Sequence, residues 1–375
     1  MKGRKCLVLL ILCALVCIGM PAFAGSEKEE VKGESAKVEK KPVIASVPQS
    51  SFAGETSLAY YKGIQDTVEK LGYELLVRDP NFDGAKQVEI MEDIIAQKDS
   101  ANIQGILLQA IDSTLIVSAV EKANAAGIPV CGVIAVPDGG EVFISVASDL
   151  HHVGEVAAQA MVDELVLKYG EPRGLVISIG GPLTCMVSNG RGEGMVDTMA
   201  KYPDIEVIHR ACDWQIPKAE QAVRDLLTAY PDADGILSYT DYYSDGIESA
   251  LSSLGKLHKT GDPNHIIWTS VDGMPSGLER IRREVKDATA NSPCEIYGVL
   301  AMQYLHEYLT TGKKPVIGEV VEKEGEPWSP GKIVQGPSGP VLMLPSYRID
   351  EVTVDEPFLW GNKRYAVREG RVVYE

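Results

Sequence analysis

From Lys41 onward the chain alternates short apolar runs with amphipathic helical patterns, and this alternation restricts the fold more than any other feature. "PVIASV", "YELLV", "IQGILLQ", "GIPVCGVI" and "VFISVAS" are near-continuously apolar, as strands buried on both faces must be. Between them, "LAYYKGIQDTVEKL", "QVEIMEDIIAQ" and "TLIVSAVEKANAAG" carry helical periodicity. Strand and helix in alternation give an α/β fold, a parallel sheet with helices on both faces. The order then restarts. "GIQDTVEK" at Gly63 and "GMVDTMAK" at Gly194 share Gly, Asp, Thr and Lys, and "GIL" at Gly105 returns at Gly235. Two offsets of nearly one value predict two related Rossmann-like lobes of ~130 residues each, with no short solenoid period.

The N-terminus reads as an export signal. A basic start, "MKGRK", precedes the apolar "CLVLLILCALVCIG" and the small residues of "PAFA", which places residues 1–24 as a cleavable signal peptide. Residues 25–41 are charged and without apolar periodicity, a linker unable to bury enough surface to offset its ordering entropy. Losing Lys2, Arg4 and Lys5 with the signal takes the formal charge from −17 to −20. A chain that acidic is repelled by nucleic acid and anionic membranes. Cys131, Cys185, Cys212 and Cys294 remain, widely spaced and without a C-x-x-C pattern, which argues against a metal site and reads as buried apolar thiols, with a disulfide as the alternative.

In open parallel sheets, ligands sit beyond the carboxyl ends of the strands. Two facing lobes would line one cleft with those loops. No metal-protease, phosphate-loop or nucleophile-elbow motif is present, so the sequence offers no enzyme and implies no cofactor. "SNGRGEGM" fails as a dinucleotide fingerprint because its glycines start about eight residues after the strand. Gly194 instead suits close helix packing. Arg191 stands near the mouth of the cleft at the beginning of a helix, where a cation gains nothing from the positive helix end. It reads as a fork of donors for hydroxyl or carboxylate oxygens, against the plainer reading of a surface arginine paired with Glu193 or Asp197.

"YYKGIQDTVEKLGYELLVRDPNFDGAKQ", "GIPV", "VASDLHHVGEVAAQ", "NGRGEGM", "SVDGMPSG" and the tail "VDEPFLWGN" together resemble the periplasmic sugar-binding proteins of the ribose-binding type, solute receptors of ABC importers. The resemblance runs from about Pro42 to Ile349. It implies a type I periplasmic binding protein fold with three hinge crossovers, near Asp149, Asn291 and Glu322. Residues 42–149 and 292–322 would form the N-terminal lobe, 150–291 and 323–349 the C-terminal lobe, and 350–375 an extension. The implied function is hinge closure over a small sugar-like ligand and its delivery to an importer permease by a monomeric protein in the periplasm. A sensor-input role or a non-sugar solute is the alternative.

The resemblance also implies site residues. Arg191 would donate to sugar oxygens, Trp214 of "CDW" would stack on the ring, and Asp272 of "SVDG" would accept from hydroxyls. Asn291 would be the amide before the hinge proline. Thr240 and Asp241 occupy a family Asn-Asp pair, although Asp241 equally suits a cap of the helix beginning at Tyr242, and Asp112 and Asp149 read as caps. The first loop offers Ser51, Phe52 and Tyr60. Where the ribose type has Asp-Arg, this chain has Ile134 and Ala135, so the first-lobe grip on hydroxyls is missing. The ligand is therefore expected to be less polar on that side, since an unpaired buried hydroxyl costs ~1–3 kcal/mol.

Overall fold

A computed structural model describes residues 40–50, 54–183 and 185–375. The expected signal peptide, most of the linker, and Ser51 and Phe52 lie outside the described residues. The first run of elements is β1 (Val43–Val47), α1 (Glu55–Lys70), β2 (Glu74–Val77), α2 (Gly84–Ala96), β3 (Ile103–Leu108), α3 (Val117–Ala125), β4 (Val130–Val133) and β5 (Ile144–Ser148). The second is α4 (Leu150–Tyr169), β6 (Gly174–Gly180), α5 (Met186–Met199), β7 (Ile205–Ala211), α6 (Ile216–Ala229) and β8 (Gly235–Ser238). It continues with α7 (Ser244–Ser253), β9 (Ile267–Asp272), α8 (Pro275–Arg282) and β10 (Ala288–Asn291). Then come α9 (Cys294–Thr311), β11 (Val320–Val321), β12 (Gly331–Gln335), β13 (Pro340–Leu344), β14 (Arg348–Asp350), β15 (Tyr365–Arg368) and β16 (Arg371–Tyr374).

The two halves are built alike. Parallel strands run in the order β2-β1-β3-β4-β5 in one sheet and β7-β6-β8-β9-β10 in the other. The repeated glycines do equivalent work. A Cβ at Gly63 of α1 would collide with the backbone carbonyl of Glu295 on α9, and one at Gly194 of α5 with that of His151 on α4. Gly105 makes room for Leu305 and Gly235 for Met161 in the same way. In each lobe, the absent side chain lets a helix pair or a helix and its sheet approach to backbone contact.

Each sheet is covered on both faces by apolar clusters, one around Ile44, Leu107 and Leu305 and another around Ile106, Val120 and Val130 in the first lobe. Ile177, Val223 and Trp268, and Val153, Met161 and Leu237, do this in the second. Cys131, Cys212 and Cys294 are buried free thiols and Cys185 is half-buried. Burial pushes the Cys212 thiol up to about 11. Asp149 caps α4 by accepting from the His152 amide.

The chain passes from the first sheet to the second lobe after Ser148 and returns between Asn291 and Cys294. The third passage corrects the expectation that residues 323–349 belong to the second lobe. β13 pairs in parallel with β5, and β12 and β11 extend that first-lobe sheet. Only β14 joins the second, antiparallel to β10, so the passage falls at residues 345–347 and not near Glu322. The "GPSG" turn makes a hairpin of β12 and β13 whose apolar Val341, Leu342 and Leu344 complete the first core.

Candidate functional site

Several of the non-glycine residues at positive φ stand at or just after the carboxyl ends of parallel strands. Ile134 follows β4 at φ 63, Asp213 and Trp214 follow β7 at φ 53 each, and Asp272 ends β9 at φ 115. Each such non-glycine residue costs on the order of 1–3 kcal/mol and persists only where its surroundings fix it. A β-branched residue at positive φ is the most costly of these.

Arg191 and Asp272 meet at the carboxyl end of the second sheet. Arg191 Nη2 donates to Asp272 Oδ1 at 2.7 Å, and Nη1 donates to the Tyr239 carbonyl at 2.7 Å. Thr240 Oγ1 donates to the other carboxylate oxygen at 2.5 Å. The pair is 7% and 5% exposed. Tyr239 and Thr240 follow β8, which lies next to β6 where the strand order reverses, the place where open sheets bind ligands. Arg191 Nε is buried with no partner, so the guanidinium keeps donors in reserve. The plainer reading of a surface arginine is corrected: Arg191 is buried, and Asp197 accepts from His151 instead.

Trp214 follows β7 in the same lobe, with its ring near that of Tyr243. Its backbone N–H donates to the Tyr243 hydroxyl at 2.9 Å, which in turn donates to the Gly180 carbonyl at 3.0 Å. Its indole lies against Gly181, where any Cβ would overlap the ring. Asn291 ends β10 in register with Asp272. Its N–H donates to the Tyr347 carbonyl at 2.9 Å, and it borders a cavity of about 170 Å³ together with Tyr347, Phe358 and Trp360.

Two expected ligand contacts are corrected. Asp241 is fully buried and spent within the protein: it pairs with the fully buried Lys286, accepts from Ser270, and takes the Met274 N–H at 2.9 Å. Thr240, not Asp241, caps the short 3-10 turn at 241–243, accepting from the Tyr242 N–H at 3.0 Å. Tyr60 is 2% exposed within the first-lobe core, and its buried hydroxyl faces Ser46. Burial holds that hydroxyl's pKa well above its usual value. Ile134 and Ala135 form a tight turn in which the Ala135 N–H donates to the Val133 carbonyl at 2.7 Å. No acid or base stands there.

Contacts across the cleft were not legible in the sequence. Glu55, in the first turn of α1, accepts from the Ser276 hydroxyl at 2.9 Å and backbone N–H at 3.4 Å in the first turn of α8. Met274 of the second lobe packs into the first-lobe core. A carboxylate at a helix N-terminus gives a local signal only when it belongs to that helix, and Glu55 comes from the opposite lobe. Among the described residues no group of three or more His, Cys, Asp or Glu could hold a metal.

A periplasmic binding protein domain model matches residues 48–314, and the chain belongs to that family. It is thus a binding protein and not an enzyme. Among its relatives, the ribose import binding protein RbsB of Bacillus subtilis is 27% identical over 294 residues, 78% of this chain and 86% of that one. The D-apiose import binding protein of Paraburkholderia graminis is 25% identical over 259 residues, 68% and 78% of the two chains. A solute-binding protein of Actinobacillus succinogenes solved with D-allose superposes with a TM-score of 0.69 at 18% identity, covering 84% of this chain and 99% of that one. A carbohydrate transporter binding protein of Agrobacterium radiobacter in complex with D-arabinose gives 0.70 at 15% identity, covering 86% and 98%. These structural likenesses show the two-lobed fold.

Proposed function

We propose that the protein is the periplasmic solute receptor of an ABC importer and that it closes over one small sugar or polyol, gripped chiefly by the second lobe. The observation that carries this reading is the Arg191–Asp272–Thr240 cluster at the strand-order reversal, buried yet with an unpartnered guanidinium N–H. Arg191 would donate to ring or hydroxyl oxygens, Asp272 would accept from hydroxyls, and Trp214 would cover an apolar C–H face. Thr240 and Asn291 would add polar contacts, with Ser51 and Phe52 contributing from the first loop. The signal-like N-terminus agrees with export, and the residues of the proposed site all come from one chain, in keeping with a monomer.

The relatives named above are import proteins for ribose and D-apiose, and xylitol binding occurs in a more distant one that is 25% identical over 223 residues. Because Ile134 and Ala135 replace the charged pair of the ribose type, the ligand should direct its hydroxyls toward the second lobe. Thermal shift across D-ribose, D-apiose, D-arabinose, D-allose, xylitol and myo-inositol tests this. A binding sugar raises the melting temperature with concentration, whereas no shift from any of them rejects a sugar or polyol. Trp214→Ala should abolish a ligand-induced change in tryptophan fluorescence; an unaltered change places the indole outside the contact.

A further inference from the structure

We propose that residues 351–375 form a strap fastened to both lobes, in which Trp360 is a positioning residue for the Asp272 turn; the effect on ligand affinity rests on the functional reading above. The strap is anchored to the second lobe first. Val354 and Leu359 are buried with Leu278, Ile281 and Ile349, and Arg282 donates to Asp355 Oδ1 at 2.7 Å and to the Val354 carbonyl at 3.0 Å. Its far end is anchored to the first lobe. Gln65 of α1 accepts from the Val372 N–H and donates to the Val372 carbonyl, both at 3.2 Å. Glu295 of α9 accepts from Lys363 at 2.5 Å, from Tyr365 at 3.3 Å and from Tyr374.

Between the anchors the strap touches the site from behind. Trp360 is 4% exposed with its ring in the first-lobe core, and its indole N–H is shared between the Ser292 carbonyl at 2.8 Å and the Asp272 carbonyl at 3.3 Å. Gly361 adjoins so closely that a Cβ would overlap the Gly273 carbonyl. Asp272 is at φ 115, a strained conformation that must be held from outside, and Gly273 follows at φ 71. Asp241 holds this turn from within the second lobe through the Met274 N–H. Trp360 holds it through an element also tied to the other lobe. The same indole N–H engages Ser292 in the interlobe passage. Lobe rotation therefore acts on the backbone carbonyl of Asp272, the residue whose carboxylate orients Arg191.

Trp360→Phe removes the N–H while keeping an aromatic ring. Both carbonyls retain another donor, Cys294 N–H to Ser292 at 2.8 Å and Ser292 N–H to Asp272 at 3.1 Å, so the fold should tolerate it. The probe is whichever of D-ribose, D-apiose and D-allose raises the parent's melting temperature most. We expect a Kd weakened about three- to tenfold, the worth of one hydrogen bond, with the melting temperature within about 4 °C of the parent. Amide exchange at Gly273 and Met274, measured without sugar, should quicken about tenfold. Gln65→Ala should loosen the first-lobe anchor and increase the radius of gyration of the sugar-free protein. Parent-like Kd and exchange in Trp360→Phe overturn the proposal, as does a large drop in melting temperature with Kd unchanged. If no sugar shifts the parent, the sugar reading fails and the exchange comparison alone decides whether Trp360 positions the turn.

Discussion

The two walls of the cleft come from lobes of one topology, yet they are chemically unequal. The second lobe carries a buried ion pair, a hydroxyl bonded to it and an indole, with Asp272, Thr240 and Trp214 at or just after strand ends and Arg191 on α5. At the end of β4 the first lobe offers Ile134 and Ala135, and Ser46, Tyr60 and Ser145 are sealed in its core. A duplicated fold thus leaves each lobe free to specialise: one fixes charge and orientation, the other closes over what is held. Strain is found on both walls, since each keeps non-glycine residues at positive φ, but only in the second lobe are such residues paired with cations, Asp272 with Arg191 and Asp213 with Lys218.

Arg191→Ala should show this asymmetry most strongly. Arg191 has protein acceptors as well as its proposed ligand, so its removal strands a buried carboxylate. We expect a stability loss of about 3–5 kcal/mol by urea denaturation, together with loss of sugar binding; an unchanged denaturation midpoint would remove the pair as the anchor of the second wall. Next in size is Asp241→Ala, which leaves Lys286 buried without its counter-charge. Burial already lowers the pKa of that amine despite Asp241, and a loss of about 3 kcal/mol is expected. A parent-like midpoint would show the pair contributes nothing to the second lobe.

Ile134→Asn sharpens the comparison from the other wall. Asparagine tolerates the left-handed conformation and brings a polar side chain to the apolar side. Stability should stay within about 1 kcal/mol while affinity for a polyhydroxy ligand rises a few-fold, a gain of about 1 kcal/mol. Weaker binding measured by calorimetry would mean the first wall needs to be apolar.

The smallest effect is remote from the cleft. His265 faces acceptors at both ring nitrogens, the His258 carbonyl at 2.9 Å and Asp287 at 2.9 Å. Burial lowers its pKa, but the hydrogen bond and charge of Asp287 outweigh this and raise it above 6.5 overall, with Lys168 opposing. A raised folded pKa means the contribution is complete below the unfolded value and lost as pH rises through the folded one. The melting-temperature gap between the parent and His265→Gln should therefore be widest near pH 6 and shrink toward alkaline pH. A gap that widens instead would reverse the sign.

Particular residues show how far the sequence could be read. Gly63 and Gly194 announced the duplication because packing glycines recur wherever the same helix crossing recurs. Thr240 and Asp272 were readable because their neighbours in sequence place them at strand ends, and Arg191 because it stands among glycines in a helix that follows a strand. Asp241 was misread because its partner Lys286, 45 positions away, lies in a stretch, "REVKDATA", that reads as polar surface. Tyr60 was misread because helical periodicity gives the buried face of α1 without saying whether that face ends in a core or a cleft.

By itself the sequence determined the alternation of strands and helices, the twofold repetition and the strand-end positions of Thr240 and Asp272, because these depend on short windows of periodicity and spacing. Only the tertiary structure decided that β12 and β13 complete the first sheet, that Lys286 neutralises Asp241, and that Trp360 reaches the Asp272 turn. Those outcomes depend on which distant surfaces are brought together, and burial and pairing at a distance leave no local mark in the chain.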